Sequence, residues 1–491
     1  MSKIKNILFI TTDQQRQDSL PCYGLDFMQT PALDRMVREG VVFDQCSSVS
    51  PICQPARASF ILGQYPQVTN VAHNFRWIRS DSPTIARAFN RAGWNTAAIG
   101  KMHFHPWDNP EGFRLRISAE DKRHFFRRDD YTLFLEKHGH TRDHPATFPG
   151  YEKQLGAAVS PLPEELHIDS FLGSQAVDWI NRQSGEPFFC WVSFNSPHDP
   201  YDPPAGLKDL YREAPIPEAV GSAEELQHKP AYQSRILEFY KNNLLYLTDY
   251  RELSKSSIRK MREYYLSTIT LIDRQVEKIF AALEARGLLE STLVVFSSDH
   301  GDHLGDHGLP FKETFYQSSL MVPLIVMGPG IASGRRCSAQ VNWLDLHATF
   351  LSLAGIEVPD HVQGRDLTQA FTEPEIPTTP GEQDPYFQVA FSELLGSAMV
   401  RTDRYKLVLC DDGDGELYDL QEEPLEVHNH FGDPTLRDIR EELTGRIATH
   451  LLGQNRIRSF GGGRHPSDGE RDRCFAEIRR QIEAGELFQG R

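Results

Sequence analysis

The sequence predicts an α/β protein with a large, mostly parallel sheet sandwiched by helices and a smaller α+β subdomain at the C-terminal end. Three observations predict it. Short apolar runs alternate with helical patterns over residues 1–371. Those runs are apolar at consecutive positions, as strands covered on both faces must be. From residue 372 the texture shifts to a Pro- and Thr-rich connector and then to short strands with tight turns.

In chain order, "KNILFITTD" is the first strand, an apolar run closing on polar residues. "TPALDRMVREG" is a helix: Thr30 is placed to cap, Pro31 takes the first helical position, Leu33, Met36 and Val37 share a face, and Gly40 stops it. "SPICQPARASFILGQYP" reads as a helix with Pro55 in its first turn and Gly63 at its end, which leaves Cys53 near the positive end of the dipole. In "SPTIARAFNRAGWNTAAIGK", Ser82 and Pro83 open a helix, Gly93 ends it and "NTAAIG" is the next strand. Further strands are "PFFCWVSFNSP", "STLVVFSSD" and "VPLIVMGPG", with the helix "YYLSTITLIDRQVEKIFAALEARG" ahead of the second. The polar segments 114–167 and 202–253 read as insertions in a large domain of residues 1–371. In the subdomain of residues 372–491, "SAMVRTDRYKLVLCDDGDGELYDL" supplies antiparallel strands and two helical stretches follow.

Composition narrows the function. With 52 Lys and Arg against 68 Asp and Glu among 491 residues, nucleic acid and anionic membrane surfaces are poor partners. An anionic substrate would need a local positive pocket. The apolar run "ILFI" is too short for a secretory leader and no run reaches ~18 apolar residues, so a cytoplasmic protein is expected. Seven scattered cysteines without paired spacing fit a reducing compartment. A homo-oligomer is compatible with all of this.

Ligands of open α/β sheets bind beyond the carboxyl ends of the strands. Four predicted strands end there on Asp13 and Gln14, on Lys101 and His103, on His198, and on Asp299 and His300. Asp13 and Asp299 are candidates to share a divalent cation, with a carbonyl oxygen from Gln14 and a nitrogen from His300. A rival reading binds zinc through His300, His303 and His307 of "DHGDHLGDHG", which lacks the spacing of a closed zinc site. Cys53 stands where unpaired backbone N–H groups favour an anion, and Arg57 lies one turn on.

"CQPAR" with "ASFILG", then "GKMHF", "SPHDPY" and "SSDHGDHLGDHG" with "FKETFYQ", resemble in order the blocks of the type I, formylglycine-dependent sulfatases of the alkaline phosphatase superfamily. The resemblance covers residues 5–330 and is weaker around "YKLVLCDDGDGELYDL". It implies that a maturation enzyme oxidises Cys53 to formylglycine, whose hydrate is the nucleophile. It also implies that Asp13, Gln14, Asp299 and His300 hold one metal with that residue's oxygen: calcium first, with manganese and magnesium as competitors. Arg57 and Lys101 would stabilise the modified residue, His103 would be the base that expels sulfate, and His198 and Lys312 would touch the sulfate and the departing oxygen. Gln14 and His300 stand where the family usually has aspartate and often asparagine. These departures, and Asn74, resemble the phosphonate monoester hydrolases, whereas Lys101 and His103 are the sulfatase-like pair.

The expected substrate is therefore a small-molecule sulfate ester of a sugar, alkyl or aryl alcohol. A phosphonate or phosphate ester hydrolase with the same apparatus is the alternative, and a non-catalytic metal-dependent binding protein a more distant one. Asn74, Phe75, Arg76, Trp77 and Arg79 of "AHNFRWIRSD", and the segment 114–167, are the candidate leaving-group elements.

Overall fold

The computed structural model describes residues 4–74, 76–241, 248–251, 253–373 and 388–459. Phe75, most of the Pro- and Thr-rich connector, Cys474 and the last expected helical stretch lie outside them. The main sheet has eight strands: β1 (Asn6–Asp13), β2 (Val41–Ser47), β3 (Asn95–Gly100), β4 (Leu115–Ser118), β5 (Phe188–Pro197), β6 (Thr292–Ser298), β7 (Leu324–Met327) and β8 (Arg335–Asn342). Their order is β4-β3-β5-β1-β6-β7-β2-β8. β7 runs antiparallel to both β6 and β2, and every other pairing is parallel.

Side chains of successive strand residues go to opposite faces. Leu8 and Ile10 of β1 accordingly join one apolar layer and Ile7 and Phe9 the other. The first layer is completed by the helices Pro31–Glu39, Ile168–Asn181 and Lys255–Ala285, the second by Cys53–Leu62, Ile85–Arg91 and Asp345–Leu353. Both faces of the sheet are covered, which is why its strands read as continuous apolar runs.

Local details differ from the expectation. The helix after β1 starts at Pro31 as expected, but the Thr30 side chain does not cap it; the Asp273 carboxylate accepts from the amides of Ala32 (3.2 Å) and Leu33 (2.8 Å) instead. The helix expected to open at Ser82 and Pro83 is capped by Thr84 and spans Ile85–Arg91. Segment 114–167, read as an insertion, contributes β4 to the edge of the main sheet.

The smaller sheet is antiparallel, in the order β12-β11-β10-β9: β9 (Ala390–Leu394), β10 (Ser397–Arg401), β11 (Tyr405–Leu409) and β12 (Gly415–Asp419). The compact units are Met1–Ile447 and Ala448–Arg491, so this sheet belongs to the large unit. Leu394, Met399 and Val408 pack on Ile52, Phe315, Leu320 and Met321, and the Glu393 amide donates to the Val49 carbonyl at 3.0 Å. The sheet thus braces the loop that enters the Cys53 helix. No helix among the described residues is long and apolar enough to cross a membrane.

Asp273 yields a pH prediction. Burial pushes its carboxyl up to about 7, against the Leu33 and Ala32 amides, which pull it down. The folded chain keeps this proton over a range in which the unfolded chain, with a carboxyl near about 4, has lost it. The contribution is therefore full below about pH 4 and is lost as pH rises towards 7. Asp273→Asn is expected to flatten that part of the pH dependence, so urea unfolding should show the variant gaining on the wild type between pH 5 and 7.

Candidate active site

Four strand ends converge on the first turn of the Cys53–Leu62 helix. Ile52 is its extended N-cap and Gly63, at φ +70°, closes it, so Cys53 is the first helical residue and is fully buried. Asp13 comes from the end of β1, Lys101 from just past β3, His198 from just past β5, and Asp299 and His300 from just past β6. Gly100 must be glycine: its φ is +106°, and a Cβ would lie 1.9 Å from the Ser193 carbonyl oxygen on β5. That close approach sets the start of the Lys101–His103 turn.

Arg57 is the hub. Its Nε donates to Asp299 (2.8 Å), its Nη2 to Asp13 (3.1 Å) and its Nη1 to Ser193 Oγ (2.9 Å) and the Lys101 carbonyl. Lys101 Nζ reaches Asp13 at 2.9 Å and Asp121 at 3.6 Å. Burial alone would raise the Asp13 carboxyl, and the Cys53 sulfur adds to that, but Lys101, His198 and Arg57 outweigh both and hold it below the usual carboxylate range. Burial likewise works against the charge on Lys101 and Arg57, and their carboxylate partners raise both.

Lys312 Nζ lies 3.2 Å from Cys53 Sγ and 2.9 Å from His198 Nε2, and also donates to the Gln14 side-chain carbonyl. His300 Nε2 is 3.1 Å from the same sulfur. Burial would raise the Cys53 thiol, yet Lys312, His300, Lys101 and a bond from His103 drive it well below the ordinary thiol range. The other described cysteines move the opposite way under burial, Cys337 and Cys410 to about 11 and Cys22 to about 12. Cys53 is the described thiol whose surroundings favour the anion, and thiolates are the reactive form.

Asp13, Cys53, Asp299 and His300 offer ligand atoms that all lie within 4.8 Å of one another. His300 Nδ1 is 2.9 Å from the Gly301 carbonyl, which only accepts, so Nδ1 carries the hydrogen and Nε2 turns to the cluster. Burial opposes a proton on that ring, but Asp299 raises its pKa: the converging anions call for positive charge. The donor set, oxygen-rich with one nitrogen, fits a divalent cation. Gln14 adjoins these four: its backbone amide donates to Asp299 at 3.2 Å. Its side-chain carbonyl is taken by Lys312, and its side-chain nitrogen donates to Asp302 at 2.5 Å. His303 and His307 are not brought to His300. The first bonds Ser318 and Thr314, and the second bonds Glu225 and stacks on Tyr316, so the three-histidine zinc reading is not supported.

Of the candidate leaving-group residues, Asn74 accepts from the Gln54 amide at 2.9 Å and so caps the nucleophile helix from outside. Trp77 is packed: its ring lies 5.2 Å from that of Phe104 and its N–H donates to Glu111 at 2.7 Å. Arg76 is exposed.

Sequence reasoning missed the supporting residues. Asp121 pairs with Lys101 and Arg123, and Arg123 ties it to Asp199. Buried Glu120 accepts from the amides of Met102 (3.3 Å) and His103 (3.1 Å) and from Arg116. Both lie in "SAEDKRHFF", whose dense charge was the available signal. His103 has φ +59°, a left-handed conformation that a residue with a Cβ keeps only when its surroundings hold it there. Glu120 is that hold. Glu120→Ala is expected to lower kcat about 10- to 100-fold with KM little changed, as small misplacements of reacting groups do. Steady-state kinetics on a variant of unchanged circular dichroism checks it.

A site of this kind, with a nucleophile at a helix N-terminus facing cations and a metal-ready carboxylate pair, serves hydrolysis of an ester of a tetrahedral oxyanion. The chain belongs to the sulfatase family, whose model matches residues 5–356. A second model, N-sulphoglucosamine sulphohydrolase, C-terminal, matches residues 305–451. The choline-sulfatase of Rhizobium meliloti is 31% identical over 87% of this chain and 83% of its own length. The arylsulfatase of Clostridium perfringens is 28% identical over 93% and 98%. The phosphonate monoester hydrolase of Agrobacterium radiobacter, 23% identical, superposes with a TM-score of 0.79 over 92% of this chain and 96% of its own, which shows a shared fold.

Proposed function

We propose that this enzyme hydrolyses the sulfate monoester of a small alcohol to the alcohol and inorganic sulfate, with residue 53 as the nucleophile. The observation that carries the reading is the placement of Cys53 Sγ between Lys312 Nζ, at 3.2 Å, and His300 Nε2, at 3.1 Å, at a helix N-terminus. Oxidised to formylglycine by a maturation enzyme, residue 53 would offer a hydrated aldehyde in place of the thiol. Asp13, Asp299, His300 and residue 53 would hold a divalent cation, calcium before manganese or magnesium, with Gln14 at its edge. Bound there, the cation supplies positive charge to the sulfuryl oxygens.

The remaining roles follow from the side chains. Arg57 orients both Asp13 and Asp299, and Lys101 joins it on Asp13, whose carboxyl the two cations help hold below the usual carboxylate range. His198 Nδ1 lies 2.6 Å from the Asp199 carbonyl and so carries its hydrogen, which leaves Nε2 to accept from Lys312 at 2.9 Å. That pair holds the proton which the departing alcohol oxygen takes. His103 reaches residue 53 from the partly open side, with its buried Nδ1 unpartnered among the described residues, and is placed to remove a proton there. The free thiols of the described cysteines support a cytoplasmic setting.

A second reading, phosphonate monoester hydrolysis by the same apparatus, is favoured by Gln14 and Asn74 and by the Agrobacterium radiobacter structure. Release of inorganic sulfate from sulfate monoesters of choline, of simple alkyl alcohols and of phenols tests the primary reading. Sulfate should appear with at least one of them, and its absence from all, with each of the three metals restored, would sink the reading.

A further inference from the structure

The chemistry above leaves unused a carboxyl that lies within electrostatic reach of Lys312 and Cys53, that of Glu313. Phe311 and Glu313 flank Lys312, and both have left-handed backbones, φ +58° and +78°, that disfavour residues with a Cβ. The surroundings hold them there. The Phe311 carbonyl accepts from the His303 amide at 2.5 Å, and its ring lies 4.8 Å from that of Tyr240 and 4.6 Å from that of Tyr250. The Glu313 amide donates to the carbonyl of Pro51, two residues before Cys53, at 3.1 Å. The strained turn therefore fastens Glu313 to the nucleophile loop as firmly as it does Lys312.

Glu313 is half-buried. One carboxyl oxygen accepts from the Tyr240 hydroxyl at 3.2 Å, and among the described residues the other has no hydrogen-bond partner. Burial raises this carboxyl by more than Lys312 lowers it, so it sits above the usual carboxylate range. An acidic group beside an anion-binding site works against a substrate's sulfuryl end, so its use lies with the other half of the ester. Lys312, which the proposed function places at the leaving oxygen, adjoins it in sequence.

We propose that Glu313 reads the charge of the alcohol half of the ester, favouring leaving groups that carry a cation a few bonds from the ester oxygen and disfavouring those that carry a second anion. This rests on the reading that Lys312 and His198 serve the leaving oxygen. A carboxylate that keeps one oxygen anchored and the other open is suited to an alkyl ammonium. It presents an oxygen that no described residue bonds, with Lys312 the cation beside it, and a neutral hydroxyl gains little from it.

The test measures kcat/KM of the metal-loaded wild type and Glu313→Gln on the sulfate monoesters of ethanolamine, ethylene glycol and 3-hydroxypropionate, and on the methylphosphonate monoesters of the same alcohols. The wild type should prefer the ammonium ester to the carboxylate ester. In Glu313→Gln that ratio should fall about tenfold or more, the scale of one partly screened charge pair, while the neutral ester changes less than about threefold. Glu313→Lys should invert the ratio. A ratio unchanged in Glu313→Gln, read on whichever ester class turns over, overturns the proposal. If only the phosphonates turn over, the sulfate reading fails and the charge ratio still decides this one.

Discussion

Cys53→Ala is expected to abolish turnover, by more than about 10⁴-fold, while the protein remains folded. Removal of a nucleophile typically costs factors of this size. The fold should survive because residue 53 is the first residue of its helix, where alanine is accepted, and because its loss removes a buried anion that works against Asp13. Cys53→Ser separates two roles of the position. A serine hydroxyl can attack the ester once, but it has no second hydroxyl with which to release the product. A burst of alcohol equal to the enzyme concentration, without further turnover, is expected. Retention of more than about a hundredth of wild-type activity in Cys53→Ala would remove the covalent role.

Asp13→Asn carries the next largest effect, because it acts on charge and metal together. Arg57 and Lys101 are almost fully buried and both contact Asp13, so neutralising it leaves two buried cations short of a partner. Breaking a buried pair from one side costs about 3–5 kcal/mol. The variant should lose metal as well, since Asp13 offers one of the converging ligand atoms. Lower metal content by elemental analysis, a lower urea midpoint and activity below about a thousandth of wild type are expected, and chelation of the wild type should abolish activity reversibly. Stoichiometric zinc that survives Asp13→Asn would contradict this site.

What the sequence showed, and what it did not, follows from the range of the interactions. The strand ends were legible because two-sided burial makes strands read as apolar runs, so the first polar residues beyond them mark the binding edge. Asp13, Lys101, His198 and Asp299 were found this way. The Cys53 helix was legible because Pro55 and Gly63 bracket it locally. Asp273 capping a helix that begins 242 residues earlier, at Pro31, was not legible, since only the packing of Lys255–Ala285 brings it there. The partners of Trp77, Phe104 and Glu111, were not legible, since they lie 27 and 34 residues further on and only the fold brings them to its half-buried ring. β4 was hidden because an edge strand of four residues in a polar segment has little periodicity to show. The same strand leads the chain into Glu120 and Asp121, so missing it concealed the support of His103 and Lys101.

The most direct measurement compares kcat/KM for a sulfate monoester and a phosphonate monoester of one alcohol on the same enzyme preparation, with the peptide containing residue 53 weighed in parallel. The account predicts faster turnover of the sulfate ester and an aldehyde or its hydrate at residue 53. Much faster turnover of the phosphonate than of every sulfate ester tried, or full activity with an unmodified thiol at residue 53, would contradict it.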